Sequence, residues 1–169
     1  MTTPVWLSDD EQDFWRLLLE AHNALFRGVE EQLQTDSQLG HSEYAVLVGL
    51  SEAPNHQLRM REISSHLDWD RSRCSHLIRR MEKRGLVAKS PCDNDGRGIV
   101  VTLTPEGLSR IQAAAPGHVD TVRRLVFDHL NEQDPAIQDA VKEFHRTIVA
   151  QQRQLAEQLQ QENSTETTS

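Results

Sequence analysis

The hydrophobic period of this chain switches from 3.6 residues to 2 across a single glycine, Gly85. Before it, Cys74, Leu77, Ile78 and Met81 recur at i, i+3, i+4 and i+7, the stripe of an amphipathic helix that begins at Arg71. After it, Leu86-Val87-Ala88-Lys89-Ser90 and Ile99-Val100-Val101-Thr102-Leu103-Thr104 read as antiparallel strands. They are joined by the turn-rich tip Cys92-Asp93-Asn94-Asp95-Gly96-Arg97-Gly98. Gly85 sits where a left-handed C-cap ends a helix.

Upstream lies a shorter helix, Met60 to Leu67, with Met60, Ile63 and Leu67 on one face. Asp68-Trp69-Asp70 supplies the turn, with Asp70 placed to cap the helix that follows. Helix, turn, amphipathic helix, glycine, strand, glycine-tipped loop and strand together define a winged helix–turn–helix. Its charge is distinctive. Residues 59–97 hold ten of the eighteen Lys and Arg against six of the twenty-six acids, a net +4 that leaves −12 on the remainder. A positive field concentrated on one lobe is the electrostatic footprint of nucleic-acid binding. Such a helix fits the major groove, with its apolar stripe on the lobe and its polar face toward base edges and phosphates.

The rest of the chain reads as helices. Phe14, Trp15, Leu18, Leu19, His22, Leu25, Phe26, Val29 and Leu33 predict a core-facing helix over about 9–34, capped by Ser8 or Asp9. Ser42 caps a second helix over 43–52, which Ala53-Pro54-Asn55-His56 ends. Thr104-Pro105-Glu106 starts another, expected to kink near Pro116-Gly117. After Asp134-Pro135 a last helix carries Ile137, Val141, Phe144, Ile148 and Leu155, a seam narrow enough to need a partner helix. The expected fold is mainly α with a small β-hairpin wing. It forms a single domain over 1–163, with the winged lobe at about 43–104, helical layers at about 9–34 and 105–160, and a disordered tail over 164–169.

With 169 residues, 37% hydrophobic and 26% charged, the chain can bury one core. It has no apolar run of membrane-span length and no signal-peptide pattern at its start. Two cysteines are too few for a disulfide framework, so a reducing cytoplasm is expected. Eight scattered histidines show no metal-ligand spacing, and no nucleophile elbow, phosphate loop or metalloprotease motif is present. The chain is therefore expected to be no enzyme and to carry no metal or cofactor.

The strings RSRCSHLIRRMEKRGLV (Arg71–Val87), Asp95-Gly96-Arg97 and Leu103-Thr104-Pro105-Glu106-Gly107 resemble the MarR family of bacterial transcription regulators, and the likeness runs from the first helix to the last. Asp95 and Arg97 occupy the family's D-x-R wing signature. The resemblance implies a homodimer whose terminal helices interleave, placing two winged lobes on a pseudo-palindromic DNA operator with half-site centres roughly 10 bp apart. It also implies a repressor released when a small aromatic effector enters the cleft between layers, or when a cysteine is oxidised.

The candidate DNA contacts are Arg61, Arg71, Ser72, Arg73, Ser75, His76, Arg79 and Arg80, with Arg97 for the minor groove. Arg73 is the candidate for guanine readout, since a guanidinium matches that base edge bidentately. Asp95 is expected to position the wing by pairing with an arginine. Arg80 and Arg84 are alternatives for wing support or backbone contact. Cys92, beside Lys89 and Arg97, is the candidate redox thiol, against the plainer reading of an inert strand-end cysteine. Cys74 reads as core, and a bridge between the two cysteines stays open. Trp15, His22 and Trp69 are candidate ligand-cleft residues, against plain packing. The competing function is a winged-helix protein-interaction adaptor that does not bind DNA, its acidic remainder suited to basic partners.

Overall fold

The computed structural model describes residues 5–92 and 95–166, apart from the side chains of 95–97, 160 and 162–166. The chain forms two compact units, Met1–Val122 and Arg123–Ser169. The first runs α1 (Asp9–Ser37), α2 (His41–Glu52), a short 3-10 turn, β1 (Gln57–Arg59), α3 (Met60–Leu67), α4 (Arg71–Lys83), β2 (Val87–Cys92), β3 (Asp95–Leu103) and α5 (Pro105–Val122). The second holds a π-helical turn (Arg123–Phe127), α6 (Asp128–Asn131) and α7 (Pro135–Glu166).

Local chemistry sets most boundaries. Ser8 and Glu11 form a reciprocal capping box: Glu11 N–H donates to Ser8 Oγ at 3.3 Å, and Ser8 N–H donates to Glu11 Oε2 at 2.7 Å. Asp70 accepts the N–H groups of Ser72 and Arg73 at 2.8 and 3.0 Å, which holds its carboxyl below the usual range. Gly85, at φ 73°, closes α4 in a Schellman motif. Its N–H donates to Glu82 O, and Leu86 N–H donates to Met81 O. Thr104 Oγ1 caps α5 by accepting Gly107 N–H at 3.0 Å.

The strands pair antiparallel in the order β1-β3-β2, with Arg59 opposite Val100 and Lys89 opposite Val101. Sequence reading missed β1. Three residues between a proline turn and a helix show no periodicity, and only pairing with β3 makes them a strand. Pro91 is tolerated because β2 lies at the edge of the sheet. The core packs Leu33, Leu47, Ile63, Ile78, Met81 and Val101 together.

Three expectations need correction. Gly40, not Ser42, caps the second helix: its N–H donates to Glu43 Oε2 at 3.1 Å, and the helix starts two residues earlier than expected. Helix α5 continues past Pro116 to Val122, and a π-helical turn follows at Arg123–Phe127. Gly117 serves close packing on α1, since a Cβ there would stand 2.8 Å from Gln32 Nε2. The stripe of α1 is buried only at its C-terminal end, where Val29 and Leu33 enter the core. Trp15 (50%), Leu19 (43%) and Phe26 (43%) are exposed, because the lobe reaches only the last turns of so long a helix. Lastly, the backbone is helical through Glu166, past the expected start of the tail, and 167–169 lie outside the described residues.

Rings meet where α1, α2 and α5 come together. His118 stacks on Tyr44 at 4.4 Å, and His41 meets Phe26 edge-on at 5.1 Å. Burial, and after it the charge of His41, holds the His118 imidazole below its ordinary value of 6.5. Folding thus favours the neutral ring. That part of the stability is complete above pH 6.5 and is lost as pH falls through the lowered folded value. Replacing His118 by Phe should flatten the loss of stability between about pH 7 and 5, measured by urea unfolding; an unchanged slope would remove His118 from the titration.

Gly107 explains the glycine of the LTPEG string. A Cβ there would stand 2.1 Å from Leu86 O and 2.8 Å from Leu103 Cδ1. Gly107→Ala should cost roughly 2–4 kcal/mol, because backbone must shift. A melting temperature equal to that of the parent chain would show that α5 is free to retreat.

Candidate nucleic-acid interface

Helix α4 is held by one edge and free on the others. Cys74, Leu77, Ile78 and Met81 are all 2% exposed or less. Burying the three larger of these is worth roughly 1.5–3 kcal/mol each. Repulsion between neighbouring surface cations costs only about 0.2–0.5 kcal/mol per pair. The anchor wins comfortably, so the lobe can carry a crowded cationic face.

At about 100° per residue, Ser72, His76, Arg79 and Lys83 point away from the buried stripe, and all four are exposed. One flank carries Arg73, Arg80 and Arg84 toward α1 and α2. There a cleft of about 460 Å³ is lined by Glu30, Gln34, Glu43, Trp69, Arg80 and Arg84. The other flank carries Arg71, which shares a cleft of about 340 Å³ with Arg59, Arg61, Ser64 and the wing-base residues Gly98 and Ile99.

The cations divide sharply. Arg84 donates to the buried carboxylate of Glu43 at 2.7 Å and to Gln38 O at 2.6 Å, pinning the end of α4 to the corner between α1 and α2. Lys89 pairs with Glu82 at 2.8 Å and ties β2 to α4. Among the described residues, no carboxylate pairs with Arg61, Arg71, Arg73, Arg79, Arg80 or Lys83. The guanidinium of Arg73 lies 3.6 Å from the centroid of the Trp69 ring.

The chain is similar to known proteins in sequence and in fold. Residues 37–98 match the MarR family model. Sco3205, a MarR family transcriptional regulator from Streptomyces coelicolor solved in complex with DNA, is 40% identical; the match covers 86% of this chain and 90% of that one, with a TM-score of 0.81. The chain belongs to the MarR family. AbsC, another MarR family regulator from Streptomyces coelicolor, is 34% identical over 89% of this chain and 99% of its own, with a TM-score of 0.82. The regulator PrsX of Escherichia coli is 35% identical over 74 residues, 44% of this chain and 45% of that protein. Matches to this and two other curated relatives span 45 to 62% of their lengths.

Within the MarR fold, the structure gathers Arg71, Ser72, Arg73, His76, Arg79 and Arg80 on exposed faces of α4, leaves Ser75 half-buried, and sets Arg61 beside Arg71. The side chains of Asp95 and Arg97 lie outside the described residues. Of the three ligand-cleft candidates only Trp69 lines the larger cleft. Trp15 is fifteen residues before Glu30 on α1, about 22 Å along its axis, and His22 packs on Phe26 at 4.6 Å instead. The two cysteines are free thiols, so no bridge joins them. Cys92, the candidate redox thiol at the wing base, is buried at 9% exposure where the β2–β3 register shifts between Pro91 and Cys92. Cys74 contacts Met60 Sδ at 3.6 Å in the core.

Sequence reading places Lys83 on the polar side of the helix but leaves it out of the DNA-contact candidates, although a helical wheel from the Cys74 stripe sets it on the outward face. It missed Arg59, which reaches its cleft only through the β1 pairing. Arg84 was misjudged as a wing or phosphate contact, because its partner Glu43 is forty-one residues away. Arg84→Ala should therefore destabilise the fold by roughly 1–3 kcal/mol, less than a fully buried pair because the guanidinium is partly exposed. Arg79→Ala should stay within about 0.5 kcal/mol. Equal losses in urea unfolding would refute this division between structural and free arginines.

Proposed function

We propose that this chain is a sequence-specific double-stranded DNA-binding transcription regulator. The observation that carries the reading is the exposed cationic face of α4, with which no carboxylate among the described residues pairs, although the chain as a whole is acidic. Ser72, His76, Arg79 and Lys83 would enter the major groove, with Arg73 reading guanine and Ser75 at the margin. Arg71, Arg61 and Arg59 would hold phosphates beside the wing base, and Arg80 would meet backbone or effector from the opposite flank. Asp95 would set the wing and Arg97 would enter the minor groove.

The finer features follow the same reading. A homodimer would present two lobes to a pseudo-palindromic operator, in keeping with the exposed apolar residues Trp15, Leu19 and Phe26 of α1 and Ile137, Ile148 and Leu155 of α7. Repression would be relieved by a small aromatic anion in the larger cleft, whose volume suits such a ligand and which offers the Trp69 ring and the Arg80 cation. Ligand release is favoured over oxidation, since both thiols are buried. With free thiols and, among the described residues, no helix long and apolar enough to cross a membrane, the reducing cytoplasm is the proposed location.

Selection of bound sequences from a random duplex pool tests the core of this proposal. The expected product is a pair of inverted half-sites about 10 bp apart, bound with a log–log salt slope of about 0.9 per phosphate neutralised. Arg79→Ala and Arg97→Ala should each weaken binding at least about tenfold without lowering the melting temperature, and aromatic acids should compete with binding where peroxide does not. A folded protein that ignores every duplex in dilute buffer would leave the adaptor reading in place.

A further inference from the structure

The geometry points to Trp69 as the positioning residue that aims Arg73 at a base, an inference that rests on the DNA-binding reading above. Trp69 stands in the turn between α3 and α4, four residues before Arg73, and its place is fixed from three sides. Asp68 adopts the left-handed conformation at φ 52°. The Trp69 N–H donates to Ser64 O at 3.0 Å, completing the end of α3. Its half-buried indole packs against the core cluster. The platform is part of the fold and not a loose surface ring.

On this platform lies the Arg73 guanidinium, 3.6 Å from the ring centroid, the separation of two planar groups in contact. The first turn of α4 is fixed as well, because Asp70 accepts the backbone N–H of Arg73 at 3.0 Å. An unsupported arginine at an exposed helix start samples many rotamers and must give them up on binding. Here that ordering happens when the protein folds. Stacking occupies the face of the guanidinium and leaves its in-plane N–H groups free, and bidentate recognition of guanine O6 and N7 uses that in-plane edge. Asp70, the acid nearest in sequence, accepts two backbone N–H groups at Oδ1 and attracts the Arg73 charge through space, but forms no hydrogen bond with the guanidinium. Among the described residues no comparable ring contact supports Arg71 or Arg79, which are better suited to the looser geometry of phosphate. Trp69 thus acts on DNA through Arg73 and separates a base-reading arginine from its phosphate-binding neighbours.

The test measures base preference across all single-base variants of the selected half-site, for the full-length parent, Arg73→Ala, Trp69→Leu, Trp69→Phe and the Trp69→Leu/Arg73→Ala double variant. Arg73→Ala should lose roughly 5- to 150-fold discrimination at one base pair per half-site. Trp69→Leu should lose about two- to fivefold at that same base pair and nowhere else, with the salt slope unchanged. Trp69→Phe should retain most of the preference, and the double variant should match Arg73→Ala alone. Fluorinated tryptophans at position 69 keep the shape of the indole while draining its π-face, so they give the reading even if the leucine variant does not fold; discrimination should fall stepwise with each fluorine. Full discrimination in the leucine and fluorinated proteins, or a loss spread evenly over the half-site, would overturn the role of Trp69. A parent protein that selects a half-site while Arg73→Ala keeps every preference would also overturn it, yet leave DNA binding standing. A parent that binds no duplex would remove the DNA-binding reading and this inference together.

Discussion

The burial of Cys74, Leu77, Ile78 and Met81 is the contact on which the rest of the lobe depends. It fixes the rotation of α4 about its own axis, and rotation decides what every other residue of that helix faces. With the stripe seated against the core, Ser72, His76, Arg79 and Lys83 have no alternative to solvent, while Arg73, Arg80 and Arg84 are turned toward α1 and α2. Slipping the helix by one residue would bury a cation and expose a hydrophobe. The apolar edge therefore orients the charges, although it carries none itself.

That orientation separates the arginines into two trades. Arg84 meets Glu43, a carboxylate buried beneath it, and the pair closes the corner between α1 and α2. Arg73 meets an aromatic face, which steadies the side chain without neutralising its hydrogen-bonding edge. Among the described residues, Arg71 and Arg79 meet neither. A count of basic residues treats all four alike, yet only those left without a carboxylate partner can give their charge to another molecule. The acidic remainder of the chain matters here, because it could have quenched this face and, among the described residues, does not.

The helix–turn–helix was legible because its signals are local. Asp70 caps within three residues, Gly85 needs only its own φ, and the 74-77-78-81 stripe lies within eight residues. The bounds of α3 and the cap of α5 at Thr104 were readable for the same reason. Reading failed where the deciding partner was distant. Strand β1 exists because of β3, forty-odd residues later, and the Arg84 partnership spans a similar gap. The stripe of α1 is helical as expected, but its period cannot say that the lobe reaches only Val29 and Leu33. Pro116-Gly117 reads as a kink because both residues disfavour helix, but no local pattern shows that Gly117 also packs against Gln32 and Asp36.

The sequence by itself determined the run of helices around the wing hairpin, the family and the charge contrast between residues 59–97 and the remainder, since all three are written in short-range pattern and composition. Only the tertiary structure decided which arginines are free, that Trp69 supports Arg73, that Cys92 is shut away, and that Trp15 and His22 stand apart from the cleft. Periodicity gives the angle of a side chain about its own helix axis. What waits at that angle is set by the packing of other helices and strands, and no local pattern carries that information.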